Sequence, residues 1–398
     1  MTIHSKIRLL YPNQSDWCNE IHKIGIDPYA EKVFMNKKDI LCVKLSDIRI
    51  EAANILKQEL LSIGADAVVP RSAISGKPDR TDVILLITKR HIEKLSSRLQ
   101  HQPFSLKTLC SDIKDVLSRP HLWQCGTKYI DLTVPKIMGI LNVTPDSFYD
   151  GGAYTNVSTI EKRVTDMIEE GVDIIDIGAE STRPGSDPVG EAEELKRILP
   201  AFSCVKKIAP AIPVSIDTYK SRIADTMLKE GADCINDISG LRFDAAMGAV
   251  IARHQAGIVL MHSKGTPQEM QKDPYYDDVI QEIFSYFLDR TSYALQEGII
   301  HASIALDPGI GFGKRLIDNT TIIRRLREFS SIGFPLVMGL SRKSFLGLIT
   351  NKKNPSDRLA ATVSAHTIAL MNGANILRVH DIAQARDSIA VVKGICGE

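Results

Sequence analysis

Along the last two thirds of this chain, polar and charged side chains repeatedly follow short apolar runs. Asn142 sits at the end of the first run, with Thr144, Asp146 and Asp150 just beyond it. Glu180, Ser181, Thr182 and Arg183 follow the second. The third ends at Asp217, the fourth holds Asn236 and Asp237, the fifth ends at His262 and the sixth at Asp307. The seventh leads into Ser341, Arg342 and Lys343, and the eighth carries Arg378 and His380. Asp217, Asn236 and Asp307 offer carboxylates and an amide that suit a ligand edge with several N–H donors, such as a guanidine-like heterocycle. Lys343, Arg378, His380 and Arg183 are cationic and suit phosphate or pyrophosphate. Asn142 and the loop aspartates can hold a hard cation through oxygen, and Mg²⁺ suits a diphosphate. Asp307 runs into Pro308–Lys314 (PGIGFGK), whose glycines permit close backbone approach and whose Phe312 offers an aromatic wall. Alone, that stretch is a weak phosphate-loop signal. Any one of these residues could equally serve a salt bridge or a cap; the whole set on one rim is what an enzyme needs.

The elements that must carry them are legible. The apolar runs are Lys136–Val143, Asp173–Gly178, Val214–Asp217, Cys234–Ile238, Gly257–His262, Ser303–Asp307, Leu336–Leu340 and Ile376–His380. Each is nearly continuous in Ile, Val and Leu, as strands buried on both faces are. Between them lie helical patterns. Val157, Ile160, Val164, Met167, Ile168 and Gly171 share one face, as do Ile280, Ile283, Phe284, Phe287 and Leu288. Gly171-Val172-Asp173, Gly231-Ala232-Asp233 and Gly373-Ala374-Asn375 punctuate helix ends. This alternation predicts a (β/α)₈ barrel with its active site at the C-terminal ends of the strands. A doubly wound open sheet is the alternative, because periodicity alone does not close a barrel. Two loops, Ile140–Gly152 (ILNVTPDSFYDGG) and Ala179–Gly185 (AESTRPG), are longer and richer in Gly and Pro than ordinary βα turns, as mobile lids are. Phe148 is an aromatic in a polar loop and is expected to cover something.

Composition sets the boundaries. The chain has 398 residues, 44% hydrophobic and 24% charged, which excludes a disordered or collagen-like protein. No apolar run reaches the length of a membrane span, and Met1–Leu10 lacks a secretory pattern. The 7 cysteines form no CxxC pair, which favours reduced thiols in a cytoplasmic protein over a disulfide framework or zinc site. A net charge of +1 gives no sign of nucleic-acid binding. It conceals an asymmetry: residues 1–130 hold 20 Lys and Arg against 14 Asp and Glu. Either the two parts simply differ in surface charge, or the basic part docks on the acidic remainder or an anionic ligand.

Residues 1–119 read as a separate small α/β domain and 120–398 as the barrel. In the former, Ile40–Leu45, Ala67–Pro70 and Asp82–Thr88 read as strands and Ile50–Ile63 and Leu106–Leu117 as helices. Ala73–Arg80 reads as a turn-rich loop, and Tyr129–Val134 as a cover for the barrel's N-terminal end. The small domain is either an interaction or oligomerisation module or a second ligand-binding or catalytic unit.

Seven segments in order closely resemble dihydropteroate synthase, of the pterin-binding barrel family. They are ILNVTPDSFYDGG (140–152), DIIDIGAESTRPG (173–185), PVSIDT (213–218), INDISG (235–240), ALDPGIGFGK (305–314), GLSRKSFLG (339–347) and ILRVHD (376–381). The resemblance covers roughly residues 125–396. It implies a (β/α)₈ barrel, usually homodimeric and a sulfonamide target. Such an enzyme joins 6-hydroxymethyl-7,8-dihydropterin diphosphate to p-aminobenzoate and releases pyrophosphate with the help of Mg²⁺. It implies that Asp217, Asn236, Asp307 and Lys343 hold the pterin ring, with Ile238, Met261, Phe312 and Gly339 lining its pocket and Arg378 against a face. Asn142, Arg378 and His380 would hold the diphosphate, with Asn142 also near the metal. Phe148, Thr182, Arg183, Pro184 and Ser344 would form the p-aminobenzoate site. Asp146 and Asp150 belong to the first loop and join Asp217, Asp307 and Lys343 as catalytic candidates. Membrane and nucleic-acid partners are not implied. The chain departs from the family pattern by about 120 additional N-terminal residues, which lack the signature of the pyrophosphokinase often fused to this synthase. Two competing readings remain: a pterin-binding methyltransferase that passes a methyl group to a corrinoid partner, and a binding protein that kept the barrel and lost turnover.

Overall fold

The computed structural model describes residues 14–118, 120–144, 157–180, 189–265, 269–270 and 273–396. The chain divides into two compact units, one ending at Ser118 and the other running to Cys396.

The first unit contains α1 (Gln14–Ile24), α2 (Pro28–Met35), β1 (Leu41–Arg49), α3 (Ile50–Ser62), β2 (Asp66–Val68), β3 (Arg80–Ile87), α4 (Lys89–Leu99) and α5 (Leu109–Leu117). Its sheet runs β1–β3–β2, with β3 antiparallel to both neighbours. Val83, Leu85 and Ile87 alternate along β3 into a core with Leu56 and Leu60 of α3 and Ile92, Leu95 and Leu99 of α4. Three helices, α1, α2 and α4, are additional to those that the sequence pattern predicts. In α4 (KRHIEKLSSRL) charge masks a narrow stripe, since only Ile92, Leu95 and Leu99 are buried. The stretch from Ala73 to Arg80 is not loop throughout. A 3₁₀ turn covers Arg71–Ser75, and β3 already begins at Arg80.

The second unit opens with a hairpin of β4 (Leu122–Cys125) and β5 (Lys128–Asp131). There follow β6 (Lys136–Asn142), α6 (Val157–Glu169), β7 (Ile174–Gly178), α7 (Glu191–Ile208), β8 (Val214–Asp217), α8 (Ser221–Lys229), β9 (Cys234–Asp237) and α9 (Met247–His254). Then come β10 (Gly257–Met261), α10 (Val279–Gln296), β11 (Ile304–Asp307), α11 (Leu316–Arg324), β12 (Val337–Gly339), α12 (Ser344–Thr350), α13 (Leu359–Met371), β13 (Ile376–Val379) and α14 (Ile382–Cys396). Strands β6 to β13 form one parallel sheet in which β13 returns to pair with β6. A parallel bridge between Leu306 and Leu336 brings β11 beside β12. The sheet therefore closes into a (β/α)₈ barrel, and the open doubly wound alternative falls. Every position of β7 and β10 is buried, which is why these strands read as unbroken apolar runs. Gly171 and Gly231 take φ of 84° and 99°, the left-handed closure that ends α6 and α8.

The hairpin seals one end. Trp123, Cys125, Ile130 and Leu132 pack on Met138, Ile174, Cys234, Val259, Ala305, Val337 and Ile376. The Trp123 Nε1–H donates to the Ser303 carbonyl at 2.9 Å. Ligand access is left to the opposite rim, at the C-terminal ends of the strands.

His366 of α13 is buried, and among the described residues neither ring nitrogen has a hydrogen-bond partner. Burial pushes its pKa down from 6.5 to about 4. The unfolded chain takes up a proton near pH 6.5 that the fold refuses. Stability is therefore lost as pH falls from there toward about 4. The loss amounts to roughly 3 kcal/mol. His366→Leu is expected to hold its Tm between about pH 7 and about pH 4.5 better than the parent, whose Tm falls. Parallel curves of Tm against pH for the two proteins would exclude this role for His366.

Candidate active site

At the barrel rim one guanidinium joins two strands. Arg378 of β13 donates through Nε to Asp176 Oδ2 at 2.6 Å and through Nη2 to Asp217 Oδ2 at 2.6 Å. Asn236 of β9 donates through Nδ2 to the same Asp176 oxygen at 3.2 Å. Burial raises the Asp217 pKa to about 7 against the opposing pull of Arg378. For Arg378 burial acts downward, but Asp176 and Asp217 more than offset it and the net shift is upward. Asp217, Asn236 and Arg378 are thus brought together, with Arg378 turned onto carboxylates.

Asp176 is the residue that sequence reasoning missed. It lies inside β7, in the run DIIDIG, and is fully buried, with no hydrogen-bond partner for Oδ1 among the described residues. The available signal was a lone carboxylate in the middle of an otherwise apolar strand, which is costly unless a cation meets it.

The second cluster lies on β11 and β12. Asp307 Oδ1 accepts from the Gly309 N–H at 2.7 Å. Burial raises its pKa, with Lys343 opposing. Lys343 donates to the Ile310 carbonyl and sits 4.8 Å from the centre of the Phe312 ring. Burial lowers its pKa to about 8, with Asp307 opposing. A Cβ on Gly339 would lie 3.6 Å from Lys343 Nζ and 3.9 Å from Asp307 Oδ2. The two polar tips therefore converge above a residue that has no side chain. Ile238 and Met261 are buried, and the Tyr286 hydroxyl donates to the Met261 carbonyl at 3.0 Å. Asp237, next to Asn236, builds a turn instead. Its oxygens accept from the N–H groups of Ser239 and Leu241 at 2.7 and 2.8 Å.

Asn142 ends β6 opposite Gly178 of β7. A Cβ on Gly178 would lie 3.5 Å from Asn142 Oδ1 and 3.6 Å from Asp217 Oδ2, so both oxygens approach one spot. No group of three His, Cys, Asp or Glu capable of holding a metal exists among the described residues. That set does not make a protein cage, but it fits an ion held by one or two protein oxygens together with substrate phosphates, as Mg²⁺ commonly is. His380 is pinned through its backbone: its N–H donates to Ser341 Oγ at 3.4 Å and its carbonyl accepts from Arg163 at 2.8 Å. Ser344 is exposed in the first turn of α12. Asp146, Phe148, Asp150, Thr182, Arg183 and Pro184 lie outside the described residues.

The residues bracketing 181–188 are firmly held. Lys220 donates to Glu180 Oε2 at 2.6 Å, Glu194 Oε2 at 2.5 Å and the Val189 carbonyl at 2.6 Å. Tyr219 and Thr218 donate to the remaining oxygens of Glu180 and Glu194, both at 2.8 Å. The chain just past Asp217 is thereby tied to the chain on either side of that segment.

A family model described as pterin binding enzyme matches residues 138–380, the span that holds both clusters. The chain belongs to the pterin-binding enzyme family. It is 44% identical over 246 residues to a dihydropteroate synthase of Synechocystis, covering 62% of this chain and 85% of that one. It is 34% identical over 380 residues to a bifunctional dihydropteroate synthase/dihydropteroate reductase of Helicobacter pylori, covering 95% and 96%. Among solved structures, the Xanthomonas albilineans dihydropteroate synthase with 4-aminobenzoic acid superposes with a TM-score of 0.65 at 37% identity, over 70% of this chain and 98% of that one.

Proposed function

We propose that this pterin-binding barrel condenses 6-hydroxymethyl-7,8-dihydropterin diphosphate with p-aminobenzoate to give 7,8-dihydropteroate and pyrophosphate, a step of folate biosynthesis. It is a transferase, a dihydropteroate synthase. The observation that carries this reading is the convergence of Asp217, Asn236, Asp307 and Lys343 on one rim in a chain that matches synthases over nearly the whole barrel. Asp217, Asn236 and Asp307 accept from and donate to the pterin edge, Lys343 donates to its oxygen, and Ile238, Met261, Phe312 and Gly339 enclose the ring. Asn142 and His380 hold the diphosphate together with Arg378, which can swing part of its guanidinium from the carboxylates to phosphate oxygens.

As the methylene C–O bond breaks, the diphosphate takes the electron pair and the methylene becomes electron-poor. Asp217 and Asp307 favour that positive character, while Arg378 and His380 favour the charge on the leaving group. The aniline nitrogen forms the new C–N bond and releases its proton to solvent. No covalent link to the protein is needed. Mg²⁺, held at Asn142 and on the diphosphate, would supply further charge neutralisation on the leaving group. We assign the p-aminobenzoate site to Phe148, Thr182, Arg183, Pro184 and Ser344 on the family resemblance, and we place Asp146 and Asp150 of the first loop among the catalytic residues. A sulfonamide would compete at the p-aminobenzoate site. Mass detection of dihydropteroate from the two substrates with Mg²⁺ tests the reading; a methyl-group acceptor activity in its place would favour the corrinoid alternative.

Two coarser features belong to the same proposal. Helix α13 carries no Asp, Glu, Lys or Arg. Ile368, Met371, Ile317, Leu348 and Ile349 of α11 to α13 are exposed, an apolar surface of the kind that marks an interface. It supports a homodimer, which sedimentation at twice the chain mass would verify. No helix among the described residues is long and apolar enough to cross a membrane. The free thiols support a cytoplasmic setting, to be checked by cell fractionation.

A second activity is favoured by one observation: the Helicobacter relative matches 95% of this chain, the first unit included. We infer that the chain also reduces dihydropteroate, the barrel's product. Oxidation of a reduced nicotinamide that depends on dihydropteroate is the expected result with the full chain. No oxidation would leave the first unit as an interaction module.

A further inference from the structure

Lys314 has no role in the reaction described so far. It follows the glycine-rich turn after β11 and is 4% exposed. Its Nζ donates to the His262 carbonyl at 3.3 Å and the Phe312 carbonyl at 3.0 Å, and it shares a hydrogen bond of 2.9 Å with Nδ1 of His262. None of these partners is a carboxylate. Burial holds the Lys314 amine well below its ordinary pKa, and an apolar side chain of similar length would avoid burying a polar tip at all. The partners explain what it does. His262 follows β10 and Phe312 follows β11, so Lys314 ties two neighbouring loops together.

Other contacts press the same loops together. A Cβ on Gly309 would collide with the His262 carbonyl, and one on Gly313 would reach the Lys264 carbonyl. The Tyr276 hydroxyl donates to the Gly313 carbonyl at 2.8 Å. Beyond Lys314 the line of contacts continues inward. The Phe312 ring carries the Lys343 ammonium at 4.8 Å, and Lys343 also donates to the Ile310 carbonyl of the same turn. Lys343 in turn converges with Asp307 above Gly339.

We propose that Lys314 is a positioning residue for the pterin half of the site: by bonding His262 and the Phe312 carbonyl it fixes the Phe312 ring and the Lys343 ammonium beside Asp307. The assignment rests on the synthase reading. It predicts a selective effect, because the tied loops carry Phe312 and reach Lys343 and Asp307, all three assigned to the pterin.

The test uses the full chain carrying Lys314→Met. The KM for the pterin diphosphate is expected to rise about tenfold or more, the scale of one or two lost buried hydrogen bonds, while the KM for p-aminobenzoate stays within about twofold. Equal rises in both KM values, or no change in either, would overturn the proposal. His262→Leu removes the ring partner from the other side and should give the same selective rise. The double variant should be little worse than either single one, since both break the same tie. If Lys314→Met does not fold, His262→Leu decides alone. Calorimetric binding of a pterin needs no turnover and separates this inference from the synthase reading. Weaker pterin binding by Lys314→Met supports the positioning role even in a chain that makes no dihydropteroate. Unchanged pterin binding overturns it whatever the activity.

Discussion

Asp217→Asn is expected to lower kcat/KM for the pterin diphosphate about 100- to 1000-fold, the scale of roughly 3–4 kcal/mol for breaking a buried charge pair. The substitution nearly preserves shape. Arg378 keeps its second carboxylate, Asp176, at 2.6 Å, so the guanidinium is not orphaned and the fold should survive. Two things change in the site. An amide puts an N–H₂ group where a carboxylate accepted from pterin donors. The pocket also loses one negative charge beside a methylene that turns electron-poor in the transition state. The effect should therefore reach kcat as well as KM. Steady-state kinetics read beside thermal melting check both halves. A variant within about threefold of the parent in kcat/KM would remove Asp217 from the reaction, because a lost interaction of this kind leaves a larger mark.

Lys343→Met is expected to lower the same kcat/KM about 30- to 100-fold, since a hydrogen bond from an ammonium contributes roughly 1.5–3 kcal/mol. Lys343 also sets a pH limit. Burial brings it down from 10.5 to about 8, and the form that donates to the pterin is the protonated one. The ammonium fraction of the free enzyme therefore falls as pH rises through about 8. Above that point kcat/KM for the pterin should drop about tenfold per pH unit. Lys343→Arg keeps its charge to much higher pH. That variant should start lower near neutral pH but lose the descending limb. A parent profile flat to about pH 10, or an arginine variant with the same limb, would place the titration elsewhere.

The barrel was legible because strands buried on both faces cannot hide. The runs that carry Asn142, Asp217, Asp307 and Arg378 hold almost no polar residue until they near the rim, so the change from apolar to polar marks the site. Gly171 and Gly231 marked helix ends because few other residues accept φ of 84° or 99°. The cover over the barrel's N-terminal end was half visible. Tyr129–Val134 reads as apolar, but its partner strand, Leu122–Cys125, is too short to be read without Trp123 in place.

What escaped depends on contacts between residues far apart in the chain. Asp176 looks like an error within an apolar strand until Arg378, 202 positions away, is seen to meet it. Lys314 reads as the end of a glycine-rich motif, and its partner His262 lies 52 positions upstream. Lys220 follows Asp217 closely enough to be mistaken for a solvated lysine, yet it holds Glu180 and Glu194. Helix α4 was hidden for a different reason: its polar face outnumbers the stripe of Ile92, Leu95 and Leu99. Phe148, Thr182, Arg183 and Pro184 are proposed for p-aminobenzoate on the family resemblance of their motifs, and they lie outside the described residues.

Whether this barrel joins pterin to an arylamine is decided by pyrophosphate release from the full-length chain, measured with pterin diphosphate and Mg²⁺ while p-aminobenzoate is varied. Release is expected to saturate with p-aminobenzoate and to equal the dihydropteroate formed, mole for mole. Release that ignores p-aminobenzoate, or its absence in a folded chain that still binds pterin, would contradict the synthase reading and leave a barrel that binds pterin without joining it to an arylamine.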